Sequence, residues 1–276
     1  MALTIRLREK TSIPVEVDSI RMDEVRSQSV DEVKATLVQY GNRQLPLCDF
    51  FDVAGSAADD SEIVWEGDCS HVKLIGANLT SGKIRVEGNS GMHLGAEMTG
   101  GEIVVSGNSG DWVGAEMRGG RIHVLGNAGQ LVGSVYRGGH RGMTGGEIII
   151  DGDAGNEIGH AMRRGVIAVG GRSGDAPGVS MIAGTILLFG QAGIRPGPSM
   201  RRGTIVFFDG ESAPEMIPTF RATGVCRPTF MRLYLQHLKS LGFSLPDGAL
   251  DARFHRYNGD FLELGKGEIF VRADLN

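Results

Sequence analysis

Four glycine columns recur every nineteen residues between Gly88 and Gly203, and they restrict the fold more than any other feature of the 276-residue chain. The first full copy opens Gly88-Asn89-Ser90-Gly91-Met92-His93-Leu94-Gly95, and later copies start at Gly107, Gly126, Gly152, Gly171 and Gly190. Glycine returns three, seven and thirteen places after each start, as at Gly110, Gly114 and Gly120, or at Gly129, Gly133 and Gly139 in the copy that carries an insertion. A fixed short period of this kind means a solenoid, whose repeats bury their apolar faces against one another.

Each copy ends in a run rich in Ile and Val, at 83–87, 102–106, 121–125, 147–151, 166–170, 185–189 and 204–208. Such runs read as strands. A second strand is expected just after each G-x-x-G, as at 92–94, 111–113 and 130–132. Helices fit poorly, because each glycine costs a helix interior about 1 kcal/mol relative to alanine. The expected fold is therefore mainly β: a single-stranded, right-handed parallel β-helix, a solenoid of about seven coils, with small α/β caps at both ends. The boundaries read as an N-terminal α/β cap at 1–60, the glycine-repeat β-helix at 61–210, and a C-terminal helix and hairpin cap at 211–276. Within the first cap, Ser29-Val30-Asp31-Glu32 is a capping box that should open a short helix. In the last, apolar residues at helical spacing over 230–241 predict a helix stopped by Gly242, and Asn258-Gly259 predicts a hairpin turn.

The 43 glycines have no three-residue period, which excludes collagen. Cys48, Cys69 and Cys226 are scattered and read as plain thiols. The opening MALTIRLREK carries charge inside its apolar run, and no apolar stretch approaches the roughly 20 residues that span a bilayer. A cytoplasmic protein with no membrane contact is expected. Nucleophilic triads, P-loops, metal-ligand spacings and dinucleotide fingerprints are absent from the sequence, so no active site or metal site is expected in this chain.

Departures from the repeat are where function is sought, since stacking explains the average copy. A methionine column stands ten places after each start, at Met98, Met117, Met162, Met181 and Met200, with Tyr136 in the third copy. It reads as an interior ladder. Just beyond it lie Arg118, Arg137, Arg163 with Arg164, and Arg201 with Arg202, interrupted by Ile182-Ala183. The insertion adds His140 and Arg141 beside Tyr136 and Arg137. The net charge is −5, yet residues 112–202 hold ten arginines, no lysine and six acids. An arginine-only ladder suits a bound polyanion or an acidic partner surface, and equally a solvated face. Nucleic acid is not expected, because the chain is acidic overall and no aromatic platform interleaves with the arginines.

The repeat G-[ND]-x-G-x-x-x-G-x-x-M-x-x-G-x-I, as in Gly107 through Met117 to Ile122, resembles the C-subunit family of formylmethanofuran dehydrogenase, and more distantly the C-terminal domain of the glutamate synthase large subunit. The inserted run from Val135 through Gly139-His140-Arg141 to Glu147 is similar to the inserted coil of that C-subunit family. The tail Arg256-Tyr257-Asn258-Gly259-Asp260 through Gly265-Lys266-Gly267-Glu268-Ile269, with Arg227-Pro228-Thr229-Phe230, resembles the form found in the formyltransferase/hydrolase complex of methylotrophic bacteria. That resemblance implies a non-catalytic scaffold in tetrahydromethanopterin-linked one-carbon metabolism. Its partners would be an amidohydrolase-like protein carrying the metals, a truncated dehydrogenase-like protein and a formyltransferase, which together pass formyl to methylofuran and release formate. It also implies a ligand for Arg118, Tyr136, Arg137, His140, Arg141, Arg163, Arg164, Arg201 and Arg202: the polyglutamate tail of the furan cofactor. The equivalent member of a formylmethanofuran dehydrogenase, an oxidoreductase, and a glutamate-synthase-like spacer are the alternatives.

Overall fold

The computed structural model describes residues 2–273. They form a mainly β chain built around one thirteen-stranded, largely parallel sheet. The Ile/Val-rich runs are its strands. Lys83–Glu87, Glu102–Val105, Arg121–Val124, Glu147–Ile150, Val166–Val169, Thr185–Leu188 and Arg202–Phe207 pair in parallel in sequence order. Register is kept from repeat to repeat: Ile84, Ile103, Ile122, Ile148, Ile167, Ile186 and Ile205 are direct partners, and all are buried. Branched side chains suit this column because each packs on its own equivalent one strand away.

The second strand expected after G-x-x-G is not there. The repeats meet on that side through single-residue parallel bridges along Cys69, Ser90, Ser109, Ala128, Ala154, Ser173 and Ala192. Residues 92–94, 111–113 and 130–132 lie in turns instead, with His93, Trp112 and Leu131 left-handed at φ +64°, +60° and +62°. A left-handed residue cannot continue a strand, but it turns its amide toward the next repeat: His93 N–H donates to the Asp111 carbonyl at 2.9 Å and Trp112 N–H to Gln130 at 2.9 Å. Asparagine completes the corner by bonding across repeats, with Asn127 N–H on Asn108 Oδ1 at 2.8 Å.

The structure also corrects the alignment of the third repeat. Met143, not Tyr136, fills the interior methionine column, and Met98, Met117, Met143, Met162, Met181 and Met200 are all fully buried. Gly146 rather than Gly139 then takes the thirteenth place. There φ is +88°, and a Cβ would lie 2.6 Å from Met117 Cε and 2.7 Å from the Gly120 carbonyl, so glycine alone fits. The inserted residues are thus 136–142, and they leave the stack just before the methionine.

Both ends of the parallel run are extended by flanking strands. Leu3–Leu7 pairs in parallel with Glu62–Glu66 and antiparallel with Phe51–Ala54. At the other end Lys266–Arg272 pairs in parallel with Arg202–Phe207, followed by antiparallel Phe254–Gly259 and Arg221–Cys226. Asn258 and Gly259 are strand residues, and the hairpin turn falls at 260–265. A second, four-stranded sheet joins Arg43–Pro46, Leu37–Tyr40, Val15–Glu16 and Val72–Lys73. The Ser29 capping box forms and opens the helix Val30–Ala35.

The helix Met231–Ser240 presents Met231, Leu235 and Leu238 to the outer face of the sheet. It covers Ile149, Ala168, Leu187 and Val206, the strand residues opposite the interior column. Among the described residues no helix is long and apolar enough to cross a membrane.

Candidate functional site

Immediately after each buried methionine the backbone is tied to the repeat below. Arg118 N–H donates to the Met98 carbonyl, Thr144 to Met117, Arg163 to Met143, Ile182 to Met162 and Arg201 to Met181, all at 2.7–2.8 Å. This pins one side chain per repeat outward in a column that reads Arg118, Thr144, Arg163, Ile182 and Arg201. Arg137 is therefore not a member of the ladder; Thr144 occupies its place.

The nine residues expected from the sequence separate into three groups. Arg163, Arg164, Arg201 and Arg202 come together around a groove of about 670 Å³ whose other walls include Ile182, Ala183, Thr185, Tyr234 and Leu264. Arg201 reaches Glu263 at 3.4 Å. Arg163, Arg164 and Arg202 have no carboxylate within ion-pair distance among the described residues, and Arg164, Arg201 and Arg202 are exposed. Like charges held close in this way repel, and an oxyanion chain laid along the groove relieves them through charge-assisted hydrogen bonds.

Arg118 stands apart, paired with Glu97 at 3.1 Å. Tyr136, Arg137, His140 and Arg141 form the third group, on the insertion. Tyr136 folds back over the two preceding repeats. Its ring lies 5.5 Å from that of His93 and 6.4 Å from Trp112, while His93 and Trp112 stack at 5.4 Å and 22°. The Tyr136 hydroxyl meets His93 Nδ1 at 3.0 Å, and its amide donates to Glu116 Oε1 at 3.1 Å. Burial, with Lys73 nearby, holds the His93 imidazole below its ordinary range. Burial, with Glu97 and Glu116, pushes the Tyr136 phenol up to about 12. Both shifts favour the neutral forms, so this is a hydrogen bond between an uncharged imidazole and an uncharged phenol.

An aromatic cluster of His93, Trp112 and Tyr136 thus lies beside Arg137. Its signal was present in the repeat, since His93 and Trp112 occupy the same column five places after Gly88 and Gly107. Tyr234 and Leu264 carry no such signal, because both come from the non-repeating C-terminal segment.

Chemistry elsewhere is sparse. Among the described residues no group of three or more His, Cys, Asp or Glu could hold a metal ion. The Cys69 thiol is pushed up to about 12 by burial, with Asp68 adding to the shift, so it supplies no thiolate. His123 and His160 are each paired with one carboxylate, Asp151 at 3.0 Å and Glu157 at 3.1 Å.

No protein-family model matches the chain. A chain in the X-ray structure of the formyltransferase/hydrolase complex (FhcABCD) from Methylorubrum extorquens, in complex with methylofuran, superposes with a TM-score of 0.89 and 35% identity over 98% of this chain and 99% of that one. The C subunit of tungsten-containing formylmethanofuran dehydrogenase 2 from Methanothermobacter marburgensis is 42% identical over 90 residues, which are 32% of this chain and 33% of that protein. The C subunit of molybdenum-containing formylmethanofuran dehydrogenase 1 from the same organism is 47% identical over 82 residues, 30% of this chain and 20% of that protein. The match to these curated relatives thus spans a third of their length or less.

Proposed function

The chain belongs to the family that joins the C subunit of formylmethanofuran dehydrogenase with its counterpart in the formyltransferase/hydrolase complex, and from that membership we propose that it is a non-catalytic scaffold of a formyltransferase/hydrolase complex. The observation that carries the proposal is end-to-end correspondence at 35% identity, caps included, with a chain of FhcABCD. The dehydrogenase relatives match over only about a third of this chain, which favours the formyltransferase/hydrolase branch. On this reading the stacked repeats are a right-handed parallel β-helix capped by residues 1–60 and 211–276. The partners are an amidohydrolase-like protein, a truncated dehydrogenase-like protein and a formyltransferase, acting in the cytoplasm, and the metals lie in those partners.

The scaffold also holds the polyglutamate tail of a methylofuran-type cofactor in the groove of Arg163, Arg164, Arg201 and Arg202. This narrows the expected ligand set from nine residues to four. Single exposed ion pairs contribute only about 0.2–1 kcal/mol each, so retention rests on several guanidinium groups acting together along one chain. Binding of a synthetic oligoglutamate to the purified complex tests the idea. Arg163→Glu/Arg164→Glu should weaken it by about tenfold or more and flatten its salt dependence, since each lost contact removes part of the electrostatic attraction. Unchanged affinity would reject the groove as the holding site.

A further inference from the structure

The residues that interrupt the nineteen-residue period are fixed at the root and free at the tip. At the root, Tyr136 is held by tilted ring contacts with His93 and Trp112, by its hydroxyl on His93 and by its amide on Glu116. At the far side of the insertion, Gly142 is buried and its N–H donates to the Ala161 carbonyl at 3.0 Å. Between these anchors Arg137, Gly138, Gly139, His140 and Arg141 stand at the surface, and all five are exposed. A Cβ added at Gly138 would meet nothing within 4 Å, so the segment faces open space there, whereas one at Gly139 would lie 2.6 Å from Val135 and 2.9 Å from Glu116 Oε1, where the segment meets the body of the protein.

The guanidinium groups at the tip make no ion pair among the described residues, for a specific reason. Three carboxylates lie around the root, and each is committed elsewhere: Glu116 to the Tyr136 amide at 3.1 Å, Glu97 to Arg118 at 3.1 Å and Glu157 to His160 at 3.1 Å. Arg137 and Arg141 therefore have no carboxylate within ion-pair distance among the described residues. An anchored root has already lost much of the conformational freedom that a loop surrenders on binding, which lowers the cost of docking.

Shape separates this feature from the arginine groove. A concave groove can enclose an extended chain, whereas a protruding finger makes few contacts with one and many with a recess. We propose that segment 137–141 is a docking finger that inserts into a carboxylate-lined recess on a folded partner protein of the complex, with Arg137 and Arg141 pairing its carboxylates. The inference rests on the reading that the chain assembles with other proteins, and it assigns the surface through which it does so.

The test compares three forms of the chain, each co-expressed with its partners: wild type, Arg137→Glu/Arg141→Glu, and Arg163→Glu/Arg164→Glu. The apparent Kd for the partners is measured across a range of salt. The finger variant should bind at least about tenfold more weakly at low salt, with the gap narrowing as salt rises, because surface charges act mainly through screened attraction. Its melting temperature should equal wild type, since neither guanidinium is paired with a carboxylate among the described residues. The groove variant should keep wild-type partner affinity. Wild-type partner affinity in the finger variant overturns the inference, as does loss of oligoglutamate binding in that variant with partner affinity intact. Failure of the wild-type chain to recruit any partner overturns both this inference and the assembly reading beneath it.

Discussion

His93 shows how one side chain in a repeat acquires a role its neighbours lack. Its column is otherwise filled by residues such as Leu74, Leu131 and Ala176, all left-handed and all partly exposed. Here the insertion returns to cover His93, together with Trp112 in the same column, and cover brings desolvation. With its folded pKa below the ordinary value near 6.5, the imidazole binds fewer protons in the folded state than in the unfolded one. The covered seat is thus at full strength above that value and loses stability as pH falls below it. The drop in unfolding free energy between about pH 7.5 and 5.5 should be larger in the wild type than in His93→Gln, measured by urea titration at each pH. Equal drops would remove His93 as the titrating group. At the same scale, glycines at 139 and 146 are equally good in sequence for the thirteenth place of the third repeat. Only the Met117 methyl and the Gly120 carbonyl beneath position 146 distinguish them.

At the scale of elements, the helix Met231–Ser240 was legible from its own spacing, with Met231, Leu235 and Leu238 on one face. Its destination was written in the strands: Lys83–Glu87 reads KIRVE, whereas Glu147–Ile150 reads EIII and Thr185–Leu188 reads TILL. Alternation gives way to continuous apolar runs where both faces of the sheet are covered. Leu235 is 1% exposed at the centre of this contact. Leu235→Ala should cost about 2–5 kcal/mol in chemical denaturation, the range for a buried leucine truncated in a packed core. A cost below about 1 kcal/mol would mean that the helix is only loosely docked. The same variant reports on the groove, because Tyr234 on this helix is one of its walls. The second strand per repeat does not form, for a backbone reason. Three apolar-flanked residues look extended in one dimension, but the turn there needs left-handed φ to reach the next repeat.

For the whole molecule, the parallel stack sets distances by register, and an insertion in one repeat leaves the repeats on either side in line. Arg121 still faces Glu147 across the interruption, as Lys83 faces Glu102 without one. Deleting residues 135–141 joins Ser134 to Gly142 and restores the nineteen-residue spacing, with a glycine at the place where neighbouring repeats carry left-handed Glu116 and Ala161. The shortened chain should fold with a loss of no more than about 2–3 kcal/mol, the scale of one part-buried aromatic and its contacts, measured by urea denaturation. Failure to fold would make the insertion part of the stack rather than an addition to it.

The sequence alone determined the periodic part of this protein: the parallel strands, their register, and the columns of isoleucine and methionine that fill the interior. Periodicity is enough for this, because each repeat packs on a copy of itself and equivalent residues must meet. What only the tertiary structure decided was everything aperiodic. It placed Tyr136 on His93 and Trp112 and left Met143 to the interior. It withdrew Arg137 from the ladder and neutralised Arg118 on Glu97. It gathered four arginines with Tyr234 and Leu264 from the C-terminal segment that lies outside the repeat. These contacts join residues with no common spacing, and which of them form depends on volume, burial and charge in three dimensions.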